Sequence, residues 1–191
     1  DMLKLVMESN VFKLDDTTWH QRTGTAMGTS VACVYATINY SHHEECSILN
    51  EEHNTLGIIF YRRFIDDAFV IQLSRDHPER YQRLHKTMNS FGDEGHRLEW
   101  TSDPPSKTVN FLDLTIQIGT DRRISTKTFQ KAMNLYLYIP PISSHPPCVL
   151  AGLIFGQLRR FWLQNSLQVD YVQCASAFLN HLVARGHERT N

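Results

Sequence analysis

Residues 57–73, GIIFYRRFIDDAFVIQL, decide the fold. Two runs rich in β-branched and aromatic residues flank one acidic pair, Asp66-Asp67, which predicts an antiparallel hairpin with both carboxylates at its tip. Carboxylates set among apolar strands are expensive to take out of water unless they are hydrogen-bonded or neutralised by a cation. A hairpin tip avoids that cost. It also presents oxygen ligands to a hard divalent cation such as Mg²⁺, which can serve phosphoryl chemistry; an ordinary solvated turn is the alternative. A second acidic pair, Asp15-Asp16 in KLDDTT, has polar neighbours and is expected to be only an exposed turn.

Upstream of the hairpin, residues 24–30 (GTAMGTS) hold too much glycine and threonine for a helix interior, and residues 31–40 are nearly continuous apolar sequence. This predicts a loop and then a buried helix capped by Thr29 or Ser30, with His42, His43, Glu44 and Glu45 at a solvated end. His42, His43 and Cys46 as metal ligands are set aside in favour of that end. Downstream, Asp76 and Pro78 mark a helix start, followed by Tyr81, Leu84, Met88 and Phe91 at helical spacing. Leu98 and Trp100 alternate as in a short strand, and Pro104-Pro105 break the chain. A second strand places Leu112, Leu114, Ile116 and Ile118 on one face, in line with Asn110, and Phe111, Asp113, Thr115 and Gln117 on the other. A turn at 119–123 leads to a return strand at 124–131. After PPISSHPP at 140–147, Leu150, Ile154, Leu158 and Phe161, then Tyr171, Cys174 or Ala175, Phe178 and Leu182, give two amphipathic helices ending at Gly186. The expected class is α+β with a helical appendage.

The 191 residues are 41% hydrophobic and 20% charged, enough to bury a core, and no apolar run reaches the roughly 18 residues of a membrane span. Four cysteines without a CxxC pair argue against a zinc ribbon or disulfide framework and for an intracellular setting. The total charge of −1 conceals an asymmetry: residues 1–60 sum to −5 and 61–106 to −1, whereas 107–131 sum to +3 and 146–191 to +2. A basic second half suits a phosphate backbone, although solvated surface accounts for so small a surplus equally well. The start DMLKLVMESN has no signal-peptide pattern and no initiating Met, so the chain is read as a fragment.

The ordered phrases QRTGTAMGTSVACVYA, YRRFIDDAFVI, VNFLDLTI, SSHPP and ARGH resemble reverse transcriptases, most closely those of Penelope-like retroelements, across almost the whole chain. The resemblance implies an incomplete palm over residues 1–131, an antiparallel sheet with packed helices, followed by a helical thumb over 132–191. It implies an RNA-directed DNA polymerase, a nucleotidyltransferase using Mg²⁺ or Mn²⁺, with RNA template, DNA primer and deoxynucleoside triphosphates as partners, no membrane and a nuclear location. Asp66 and Asp67 take the catalytic, metal-binding positions, with Asp66 the essential ligand; Gln21, Gly24, Met27, Gly28 and Phe64 take nucleotide or template positions. Phe111, Leu112 and Asp113 resemble the primer-terminus hairpin, and a plain amphipathic hairpin fits them equally. Arg62 and Arg63 either touch nucleic acid or balance the aspartates; Arg159 and Arg160 fall on thumb positions that meet the backbone. Ala32-Cys33 and His187 depart from common family residues. The family's first palm carboxylate lies before the glycine loop, so the segment alone is expected to be nearly inactive, or to be a non-catalytic nucleic-acid-binding remnant.

Overall fold

In the hairpin, β3 (Ile58–Phe64) pairs antiparallel with β4 (Asp67–Gln72), with Phe64 opposite Asp67 and Tyr61 opposite Val70. A computed structural model of the protein describes residues 2–22, 24, 26, 28–50, 56–73, 78–92, 98–133, 135–146 and 148–188. Position 76, at the expected start of a helix, lies outside them, as does Met27. Among the described residues the fold is α+β, with five α-helices and three small antiparallel sheets, and no helix is long and apolar enough to cross a membrane.

The chain forms two compact units, residues 1–104 and 105–191. The first holds α1 (Met2–Glu8), a hairpin of β1 (Val11–Leu14) and β2 (Thr17–His20), α2 (Ala32–His43), the β3–β4 hairpin and α3 (Pro78–Met88). Period-two alternation puts Tyr61 and Arg63 of β3 on the same face as Ala68 and Val70 of β4. That face packs on a core of Tyr40, Ile48, Leu56, Leu84 and Met88. Proline suits the first turn of α3, where its missing N–H is not needed, and Leu84 and Met88 follow at helical spacing on the buried side. Side chains of α2 finish the other end: the Tyr40 hydroxyl donates to the Met88 carbonyl (3.0 Å) and His43 Nε2 to that of Thr87 (2.9 Å), which also accepts from Ser90.

Several expectations change. Val31, not Thr29 or Ser30, precedes α2, and no side chain caps it; Thr29 Oγ1 donates back to Ala26. The end of α2 is not a solvated terminus. It widens into a π-helical turn (Glu44–Ile48), and Glu44 and Ile48 are buried. Residues 98–100 form no strand, because His85 of α3 and Asn89 just beyond it take both backbone groups of Trp100.

The second unit contains β5 (Thr108–Phe111), β6 (Leu114–Ile118) and β7 (Ile124–Thr128) in one sheet, and two 17-residue helices, α4 (Cys148–Gln164) and α5 (Gln168–Ala184). What read as one strand through 110–118 is a hairpin in itself: Leu112 and Asp113 form the turn, and Phe111 pairs with Leu114. The helices meet through Phe161, Phe178 and Leu182, flanked by Leu150, Ile154, Leu158, Tyr171 and Cys174. Gly186, at φ +98°, closes α5 with Gly186 N–H bonded to Val183 and His187 N–H to Leu182, a Schellman cap. β7 packs on both α4 and α5 within this unit.

Candidate active site

The β3–β4 strands are joined by two residues, Ile65 and Asp66, and Ile65 has φ +56°. Two other two-residue hairpins follow the same plan: Asp15-Asp16 with Asp15 at φ 53° and Leu112-Asp113 with Leu112 at φ 53°. In each, only the first turn residue has positive φ, as in a type II′ turn, and an aspartate stands second. Glycine is the usual occupant of the first position. A β-branched residue there is the most strained of the three, since its Cβ crowds the carbonyl, and such strain persists only where the surroundings impose it.

Asp66 and Asp67 are both exposed, and neither carboxylate has a hydrogen-bonding or ionic partner among the described residues. Phe64, beside them, is 57% exposed and lies on the open face of the hairpin with Phe60, Arg62 and Phe69. Adjacent unpaired carboxylates are the hard oxygen donors that Mg²⁺ or Mn²⁺ takes, commonly one or two per ion with waters and phosphate oxygens completing the shell. The donor chemistry therefore fits. Among the described residues no group of three His, Cys, Asp or Glu side chains gathers to hold a metal.

Beneath the tip lies a buried ion pair that the sequence reading missed. Arg63 Nε and Nη2 donate to the Glu44 carboxylate at 2.6 and 2.8 Å, with their side chains only 5% and 10% exposed. The Tyr61 hydroxyl donates to the same carboxylate at 2.6 Å. Arg63 Nη1 reaches the Ile65 carbonyl (2.8 Å), Nη2 the Thr37 carbonyl (3.1 Å), and the guanidinium stacks on the Tyr40 ring at 5.0 Å. The Arg63 guanidinium is thus engaged inside the fold, with Glu44 and two carbonyls, and not with Asp66 or Asp67. The hydrogen bond that Arg63 donates to the Glu44 carboxylate holds it above its ordinary basicity. Burial, then the Glu44 contact, pushes the Tyr61 hydroxyl up, and burial, then Glu44, pushes Tyr40 up to about 12. Arg62 is exposed, bonded to the Tyr61 carbonyl (2.8 Å) and seated 5.0 Å over Phe60.

The glycine loop precedes α2 in the same unit. Gly24 and Gly28 both have positive φ (78° and 92°); a side chain at Gly28 would meet nothing, while one at Gly24 would press on Gln21 Nε2 at 3.3 Å. Gln21 is half-buried, its backbone N–H bonded to Asn10.

In the second unit, Asp113 is exposed and pairs with Arg160 Nη2 at 2.5 Å, which joins two expected site residues and neutralises Arg160. Phe111 is half-buried and Leu112 is 42% exposed in the turn. The Arg159 side chain is exposed without a hydrogen bond or ion pair among the described residues. Asn165 and Ser166, between α4 and α5, dock on the free edge of β7: Thr128 N–H donates to Asn165 Oδ1 (3.0 Å), Thr126 N–H to Ser166 Oγ and Ser166 N–H to the Thr126 carbonyl (both 2.9 Å). At the other end Arg185 Nε donates to the Tyr138 carbonyl (3.1 Å) and His187 Nε2 to that of Ile139 (2.7 Å), so the ARGH phrase clips residues 138–139 to α5. Comparison with protein-family models, curated proteins and solved structures finds no match for the chain.

Proposed function

We propose that the chain is the palm and thumb segment of an RNA-directed DNA polymerase resembling those of Penelope-like retroelements, extending a DNA primer on an RNA template in the nucleus. Residues 1–131 would supply the partial palm and 132–191 the thumb. The observation that carries this reading is the tip of the β3–β4 hairpin: two adjacent, exposed, unpartnered carboxylates on a strained turn. In this role Asp66 and Asp67 hold divalent cation. The ion, when bound, lowers the pKa of the primer 3′-hydroxyl and neutralises charge on the triphosphate. Phe64 and the loop of Gln21, Gly24 and Gly28 line the nucleotide and template side; Phe111, Leu112 and Asp113 approach the primer; exposed Arg62 and Arg159 meet phosphates. Asp113 and Arg160 already neutralise one another, so Arg160 serves the backbone only after releasing Asp113.

The two carboxylates supply one side of a two-metal centre, so the reading requires a further carboxylate. The test is primer extension on an RNA template with Mg²⁺, run on the 191-residue chain and on the longer parent polypeptide. Synthesis by the parent and little by the segment is expected; a parent that cannot extend a primer would overturn the proposal. A non-catalytic nucleic-acid clamp is the second reading, favoured by the absence of a third metal-ligating side chain among the described residues. It predicts salt-dependent duplex binding with no synthesis by either polypeptide.

A further inference from the structure

We infer that Glu44 and Arg63 are positioning residues that set the aim of Asp66 by clamping the Ile65–Asp66 peptide; the inference rests on the polymerase reading for its consequence, but not for its geometry. A buried ion pair is a poor device for stability alone, because apolar residues of similar volume commonly do as well or better. What apolar residues cannot do is hold direction. The planar guanidinium fork addresses three groups at once: the Glu44 carboxylate, the Thr37 carbonyl on α2 and the Ile65 carbonyl at the tip. The last of these fixes the plane of the peptide that leads into Asp66. Glu44 is itself fixed from outside the hairpin, since it opens the π-helical turn after α2 and accepts the Tyr61 hydroxyl. Insertions of this kind inside helices recur at functional sites. The chain of contact thus runs from α2 through Glu44 and Arg63 to a carbonyl adjoining a candidate metal ligand. It explains how Ile65 is kept at φ +56° without glycine. The corresponding turn at Leu112 is held differently, by the Phe129 N–H on the Asp113 carbonyl (2.8 Å).

Arg63→Lys keeps the charge, but a single ammonium cannot reach Glu44 and the two carbonyls together. In ¹⁵N-resolved spectra of the 191-residue chain, this variant is expected to move the amides of Ile65, Asp66 and Asp67 and speed exchange at Asp67, which pairs with Phe64 across the hairpin, about tenfold, with Leu84 and Met88 unchanged. Adding Ile65→Gly, which adopts the positive φ without strain, is expected to restore the turn signals. A general structural role would not be rescued in that way. Unmoved turn amides in Arg63→Lys, or core shifts that Ile65→Gly does not reverse, would overturn the inference. If Arg63→Lys fails to fold, Glu44→Gln, which keeps a hydrogen-bond acceptor for Tyr61, is measured by the same criteria. Mn²⁺ added to the wild type separates the two claims: failure to broaden Asp66 and Asp67 counts against the polymerase reading, while the turn shifts still decide the clamp.

Discussion

At the scale of single residues, Glu44 carries the largest consequence for the fold. Removing one member of a buried pair leaves the other charged and unsolvated, so Glu44→Ala is expected to destabilise the first unit by ~3–5 kcal/mol, measured by urea unfolding. The two tyrosines around the pair add a pH dependence. Unfolded, both ionise near pH ~10. Folded, Tyr40 waits until about 12 and Tyr61 is raised too, so above pH ~10 the unfolded chain holds fewer protons than the native one. Stability is therefore full below pH ~10 and falls as the pH rises through ~12, and Tyr61→Phe should weaken that fall. A urea midpoint that stays level from pH ~9 to ~11.5 would contradict this assignment. Glu44 was not legible as a core residue, because HHEE at a helix end has the composition of a solvated terminus, and only its partners, 17 and 19 residues away, reveal the burial.

At the scale of elements, whatever depends on local periodicity could be read from the sequence. The apolar rows of α4 and α5 are the rows that meet in the core, Leu84 and Met88 of α3 are buried as their spacing implies, and FIDD forms the tip of a hairpin. Turn chemistry was harder. Leu112 and Ile65 occupy positions usually given to glycine, so nothing in their side chains announces a turn, and 110–118 reads as one strand. The docking of Asn165 and Ser166 on β7 was also hidden, since it joins polar residues about 40 positions apart. Asn165 gives the Thr128 amide an acceptor at an otherwise open edge. Asn165→Ala is expected to cost ~1–2 kcal/mol and to expose that amide to hydrogen exchange, while Thr126 keeps its partner in Ser166. Equal protection of Thr128 in the variant would show that the edge is held by other means.

At the scale of the whole molecule, the near-neutral sum separates into two oppositely charged units. Residues 1–104 carry 10 basic and 16 acidic residues, net −6, and residues 105–191 carry 9 and 4, net +5. The acidic unit bears the candidate metal ligands together with Arg62, and the basic unit bears Arg159 and Arg160, the other residues proposed to meet phosphates. Binding of an RNA–DNA primer duplex should weaken as salt rises and should perturb chiefly the spectra of 105–191; perturbation centred on 1–104 without Mg²⁺ would contradict that division. The central claim concerns Asp66, and the three hairpins supply its control. Asp16 stands at the matching turn position of β1–β2. In primer extension by the parent polypeptide with saturating Mg²⁺, Asp66→Asn should lower the rate at least roughly 100-fold and Asp16→Asn should leave it unchanged. Asp66→Asn extending primers at the wild-type rate, or Asp16→Asn falling as far, would contradict the account.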